Sequence, residues 1–185
     1  PNAIGGILWY GNDDPNMVAY TPIYCCANKV PTCYGENGAD GVTFSWESAF
    51  WVCNWVANMT YPRYSMLFPS LEKYRTNLEN TYFSQQYKTE EEALRLHKND
   101  TQSAISYLTE YSENCAKTML KTWKDLGIYM IVKYNDMAIK PEDQSGNFTR
   151  TPEGIGSAPQ RPGFNEQYKE IIVKTTDKKF LIPVE

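Results

Sequence analysis

The residues whose types could do chemistry are few, and each has a plainer use beside it. His97 is the only histidine, so any Ser-His-Asp or Cys-His arrangement would have to use it. It stands beside Lys98 at the polar end of a helical pattern, where an imidazole interacts with the helix dipole or with water. Asp13 and Asp14 are adjacent carboxylates in the tight connection Asn12-Asp13-Asp14-Pro15-Asn16. Turn chemistry accounts for them, and binding of a cation or a substrate amine is the sharper alternative. With Tyr10 and Asn12 they leave the end of a strand, a place from which Tyr10, Asn12, Asp13 and Asp14 could border a cleft. Glu90-Glu91-Glu92 reads as a solvated first turn of a helix. Ile4-Gly5-Gly6-Ile7 lies in a strand pattern, so the glycine pair signals close backbone packing rather than a phosphate loop.

The five cysteines are the other reactive group. Cys25 or Cys26 lies close enough in sequence to Cys33, across a loop holding Pro31, for one disulfide. A loop that small stabilises by roughly 2.5 kcal/mol on the chain-entropy account. A metal site is the rival, but three sulfurs with a distant His97 fit no common zinc spacing. Cys53 and Cys115 fall at apolar positions of helical patterns and read as buried thiols. One disulfide implies an exported protein, secreted or periplasmic. Pro1 could in principle act through its amine, as tautomerases do. Its strand leads into a hairpin, however, with no basic cluster to hold an acidic substrate. Asn58-Met59-Thr60, Asn99-Asp100-Thr101 and Asn147-Phe148-Thr149 match the glycosylation triplet, a weak pattern.

The elements that must carry these residues make an α+β chain. Ile4-Gly5-Gly6-Ile7-Leu8-Trp9-Tyr10-Gly11 and Met17-Val18-Ala19-Tyr20-Thr21-Pro22-Ile23-Tyr24 read as two strands of an antiparallel hairpin, the first apolar on both faces. A lone hairpin is marginal, and a strand without a polar face calls for neighbours. Residues 1–45 are therefore expected to form a hairpin and cysteine loop that complete a sheet begun upstream. Residues 46–135 read as helical. Ser45 is the expected N-cap, with Glu47 in the first turn, of a helix over 49–59 that is apolar almost all round. Pro62 and Pro69 are expected to interrupt or kink the chain after that helix.

From Ser70 a stripe at Leu71, Tyr74, Leu78 and Tyr82 marks a one-faced helix, and Thr89 with Glu92 makes a capping box that opens a short one. Asp100 caps a long helix whose stripe runs Ala104, Ile105, Leu108, Tyr111, Cys115, Met119 and Trp123. Gly127 is a possible stop, yet the apolar run to Tyr134 favours continuation, giving a small bundle of long helices. Residues 136–185 form an extended Pro/Gly-rich tail with a short helix from Glu166 to Lys174 and an apolar anchor at Phe180-Leu181-Ile182.

Eighteen basic against 22 acidic residues, a net charge of −4, leave no basic stripe for nucleic acid. No apolar stretch approaches the ~20 residues of a membrane span. The 14 Tyr, 7 Phe and 5 Trp allow either a dense core or a ligand surface.

Three phrases carry a resemblance: Ile4 to Gly11, Tyr20-Thr21-Pro22-Ile23-Tyr24-Cys25, and Ser48-Ala49-Phe50-Trp51-Val52-Cys53-Asn54-Trp55-Val56-Ala57-Asn58-Met59. They resemble the C-terminal part of the bacterial dipeptidase A-like family of N-terminal-nucleophile cysteine hydrolases, related to penicillin V acylase. The resemblance implies an α-β-β-α fold and a nucleophilic N-terminal cysteine whose own α-amino group is the base, so no histidine and no cofactor is needed. That cysteine would lie upstream of Pro1, and no catalytic residue carries over to this chain.

The expectation is thus the C-terminal structural region of a secreted cysteine dipeptidase, inactive alone. Its partners would be the N-terminal part of the same protein, a dipeptide in the full-length enzyme and, in a homo-oligomer, a second copy. In it the Trp-rich helix would cover the sheet and the long helices would flank the substrate side. The alternative is an independent peptide- or carbohydrate-binding module built on the aromatics.

Overall fold

The structure, a computed structural model, describes residues 4–176, so Pro1 and the Phe180-Leu181-Ile182 anchor lie outside the described residues. Among those described, two strands, β1 (Ile7–Tyr10) and β2 (Thr21–Tyr24), precede four α-helices: α1 (Ala49–Thr60), α2 (Tyr64–Asn99), α3 (Thr101–Tyr134) and α4 (Glu166–Thr176). The α+β class expected from the pattern is what forms. The chain divides into two compact units, the first ending at Met130 and the second beginning at Ile131.

In the first unit β1 and β2 pair antiparallel, with Ile7 opposite Tyr24 and Tyr10 opposite Thr21. Both strands are shorter than the apolar phrases suggest, because Met17, Val18 and Ala19 leave the ladder and bury themselves in a loop. Cys25 N donates to Gly6 O at 2.9 Å, which makes that directly opposed pair a hydrogen-bonded one. Alternation then makes Leu8–Ile23 and Tyr10–Thr21 the inward-bonding pairs. The main-chain groups of Tyr20, Pro22 and Tyr24 therefore point out from the far side of β2, and those of Ile7 and Trp9 out from the far side of β1.

The two edges meet different fates. On β2, Tyr20 N donates to Glu79 Oε1 of α2 at 3.0 Å, Pro22 has no donor, and Tyr24 N donates to Ser112 Oγ of α3 at 3.2 Å. Ser112 is fully buried and passes its own proton to Leu108 O at 2.8 Å, so its hydroxyl is satisfied in both senses. That edge is closed by helix side chains. The edge of β1 has no such partner among the described residues.

One face of the hairpin, carrying Ile7, Trp9, Pro22 and Tyr24, lies on the long helices. Ile4 and Tyr24 join Ala93 and Leu108 in a buried cluster, and Trp9 packs on Phe83 with ring centroids 4.6 Å apart. The other face carries Leu8, which is 53% exposed, with Tyr10 and Ile23. The strand apolar on both faces thus has only one of them covered. The long helices back the hairpin, where the Trp-rich helix was expected; α1 instead holds the loop after β1.

The helical expectations divide. Asp100 does cap α3, accepting from Gln102 N at 3.1 Å and Ser103 N at 2.9 Å. Thr89 and Glu92 open nothing, because α2 runs unbroken past them and Thr89 is buried against the bundle. Local capping chemistry loses there to a continuous apolar stripe of Leu71, Leu78, Tyr82 and Ala93. Pro62 falls in the 3-10 turn Tyr61–Arg63 that separates α1 from α2, an interruption as expected, whereas Pro69 sits inside α2, within its second turn, and does not end it. Ser45 accepts from Glu47 N at 3.1 Å in a turn before α1, whose N-cap position is Ser48. Gly127 continues α3, and its lack of a side chain is used: a Cβ there would come within 2.2 Å of the Trp55 ring. Tyr82 OH donates to Cys115 O at 2.8 Å, and Trp123, wholly buried, donates to Met17 O at 3.2 Å. These two bonds tie α2 and the strand-linking loop to α3.

In the second unit the chain beyond α3 is extended and is pinned by single antiparallel bridges between Ile139 and Gln160, Glu142 and Phe148, and Arg150 and Gly156. Lys133 pairs with Glu142 at 2.5 Å, both side chains under one-fifth exposed. α4 covers the expected short helix and runs two residues further. Among the described residues no helix is long and apolar enough to cross a membrane.

Ser112 gives this fold its test. Replacing it by Ala removes the acceptor for a buried Tyr24 N–H, which costs about 1–3 kcal/mol. Urea denaturation of Ser112→Ala is expected to show that loss with an unchanged m-value.

Candidate functional site

β1 delivers Tyr10 to the outer face of the hairpin, where a groove of about 480 Å³ lies between Leu8, Tyr10 and Ile23 on one side and the 27–31 loop on the other. Tyr34 ends that groove, its ring edge-on to Tyr10 at 4.8 Å and its hydroxyl 2.8 Å from Thr21 Oγ1. Burial pushes the Tyr34 phenol up, against the hydrogen bond with Thr21. It stays a neutral wall. On its far side Tyr34 also lines a second hollow of about 340 Å³ with Asn12, Asp40, Phe50 and Trp51.

The four residues expected to border one cleft are therefore split. Tyr10 lines the groove and Asn12 the hollow. Asp13 and Asp14 turn towards the helices. Asp13 adopts φ +87°, the left-handed region, and accepts from Asn54 Nδ2 of α1 at 3.1 Å. Asp14 accepts from Asn16 N at 2.8 Å and from the Tyr61 hydroxyl. That second bond holds the Tyr61 phenol up at about 12. Asn16 is in turn fixed by Arg75, which donates to its carbonyl at 2.7 Å, and it donates to Tyr64 OH at 2.7 Å. These carboxylates fasten the loop to α1 and to the 3-10 turn that follows it, the turn role.

The cysteines correct a second expectation. Cys25, Cys26 and Cys33 are free thiols, so the bridge from Cys25 or Cys26 to Cys33 does not form. Thr32–Tyr34 makes a 3-10 turn that carries Cys33 inward, its Sγ 3.8 Å from Ala116 O of α3, while Cys25 remains exposed at the end of the hairpin. Thr32 N donates to Glu113 Oε2 at 2.8 Å and fixes that orientation. Burial, then the neighbouring Glu113 charge, pushes the Cys33 thiol up to about 12. Burial likewise raises Cys115 to about 11 and raises Cys53. Thiols held neutral in this way are poor nucleophiles. Cys53 and Cys115 are the buried thiols the helical pattern pointed to. Among the described residues no three of His, Cys, Asp and Glu gather as metal ligands.

What sequence reasoning missed is Tyr34 and the aromatic run beside the hollow. Phe44 meets Trp46 at 4.9 Å, Trp46 meets Trp55 at 5.1 Å, and Phe50 meets Trp51 at 5.2 Å. Phe44 and Trp46 are about half exposed. The density of aromatics between 44 and 55 was the available signal.

Residues 1–77 match the family model described as peptidase family C69. The match takes in the hairpin, the cysteine loop, α1 and the first turns of α2, and this part of the chain is a dipeptidase-family region. No curated protein matches the chain.

Thiol chemistry tests the cysteine assignment. Under native conditions near neutral pH a thiol reagent is expected to label Cys25 first, and all five cysteines only after denaturation without reductant. The pH arm has a fixed sign. Cys33 folds with its pKa raised from 9.0 to about 12, so its contribution is complete below 9 and is lost as pH rises towards 12. Urea midpoints should fall across that window, and fall less steeply in Cys33→Ala.

Proposed function

We propose that this chain is the C-terminal structural region of a secreted cysteine dipeptidase, and that it does no chemistry alone. The match of residues 1–77 to a peptidase family carries the reading. In an N-terminal-nucleophile mechanism the cysteine thiolate attacks the peptide carbonyl, its own free α-amino group takes the proton, and an acyl-enzyme forms and is hydrolysed. Cys25, Cys26, Cys33, Cys53 and Cys115 all have their nitrogens in peptide bonds. None of them has an α-amine to use as base, and three are buried with raised pKa values.

The nucleophile then belongs to an N-terminal part of the same protein. The hairpin supports the N-terminal-nucleophile fold in one respect: it is backed by helices on one face and presents an apolar groove on the other. A second sheet laid on Leu8, Tyr10 and Ile23 would give the α-β-β-α layering. Tyr10 and Tyr34 would then border the interlayer cleft in which a dipeptide is held.

A second reading has its own observation. The exposed Phe44 and Trp46, beside the hollow lined by Asn12, Phe50 and Trp51, have the composition of a peptide-binding surface. Quenching of tryptophan fluorescence by short peptides, lost in Trp46→Ala, would favour it.

Activity separates the mechanisms. The isolated chain is expected to hydrolyse no dipeptide, and dipeptidase activity is expected when the cysteine-bearing part is present. Hydrolysis by the isolated chain that survives replacement of all five cysteines by serine overturns the reading.

A further inference from the structure

Asn28 and Thr32 pin the loop between them to α3. Asn28 N donates to Thr109 Oγ1 at 3.1 Å, and Thr32 N to Glu113 Oε2 at 2.8 Å. Lys29, Val30 and Pro31 are held between those two bonds and form one wall of the groove, opposite the outer face of the hairpin. Val30 is 62% exposed there, and Ile23 on the hairpin is half-buried. A wall fixed at both ends by main-chain bonds need not be ordered by its ligand, which removes part of the entropic cost of binding.

Charge in the groove is confined to one group. Of the side chains that line it only Lys29 is charged, and its ammonium enters no ion pair among the described residues. No aspartate or glutamate lines the groove, and most of the lining is apolar or aromatic. A phosphate or a dicarboxylate would bring two negative charges to a single cation. One carboxylate joined to an apolar group matches what the walls offer.

We infer that the groove is the subsite for the C-terminal residue of the dipeptide. Lys29 Nζ binds its free carboxylate, and Ile23, Val30 and Pro31 take an apolar side chain. This rests on the peptidase reading and adds to it the direction in which the substrate lies. The carboxylate end meets the 27–31 loop. The α-amine, which Lys29 repels and no acid of the groove attracts, is directed to the cysteine-bearing part. A longer peptide carries an uncharged amide where the dipeptide carries its carboxylate, so it leaves Lys29 without a counter-charge and is disfavoured. Leu8 stays available to the second sheet, and covering the groove in that way strengthens the ion pair by excluding water.

The test uses the full-length protein with its cysteine-bearing part. N-acetyl-leucine and N-acetyl-leucinamide, which differ in the carboxylate alone, are titrated by calorimetry, and hydrolysis of Ala-Leu is followed beside them. The acid is expected to bind about tenfold more tightly than the amide. Lys29→Met should remove that difference and raise the KM for Ala-Leu by about the same factor, with kcat little changed. Lys29→Arg should restore both. The urea midpoint should not move in either variant, since Lys29 is exposed. Carboxylate-dependent binding without hydrolysis keeps the subsite and overturns the peptidase reading. Hydrolysis of Ala-Leu that is indifferent to Lys29→Met, with acid and amide bound equally or not at all, overturns the subsite and leaves the peptidase reading standing. Neither binding nor hydrolysis overturns both.

Discussion

Everything in the first unit is referred to the line along which β2 meets the two long helices. Tyr20 N–H and Tyr24 N–H would be orphaned at a sheet edge, and each finds an oxygen on a different helix, Glu79 on α2 and Ser112 on α3. A buried amide without an acceptor is costly, so these bonds fix the hairpin in both height and register against the helix pair. A slip of one residue would reverse the faces. Tyr24 would then leave its cluster with Ala93 and Leu108, and Leu8 would turn from solvent onto the helices.

That seating explains where concave surface can exist. With one face of the hairpin committed to α2 and α3, the open face and the loops beyond it are what remain. Tyr34 rises there because Thr32–Tyr34 is pulled inward by Cys33 and Glu113, and it divides a groove from a hollow. Gly127 allows Trp55 to lie on α3, Trp46 packs on Trp55, and Phe44 packs on Trp46. An exposed aromatic patch is thus supported from below by one residue without a side chain.

Polar chemistry in this unit is spent on fastening. Asp13, Asp14, Asn16, Tyr61 and Arg75 secure the strand-linking loop, and Cys33, Cys53 and Cys115 are held as neutral thiols in apolar surroundings. These side chains, in and around the region that matches the peptidase family, are thus occupied in holding the fold together.

The sequence by itself determined the features that depend on neighbours a few residues apart. The Asp100 cap needs only the amides two and three residues on, and the stripes of α2 and α3 need only the helical period. The aromatic phrases, all within residues 1–77, were enough to point to the peptidase family whose model matches there. Tertiary structure decided whatever depends on a distant partner. Thr89 and Glu92 form a capping signal that bundle packing overrides. Cys25 and Cys33 are near in sequence, yet α3 turns one of them inward. Asp13 and Asp14 face Asn54 and Tyr61 because α1 arrives there, a contact across more than 40 residues. Nor could periodicity say which face of a strand apolar on both sides would be covered. The length of the ladder was hidden for the same reason, since Met17 to Ala19 read as strand until Trp123 claims that loop.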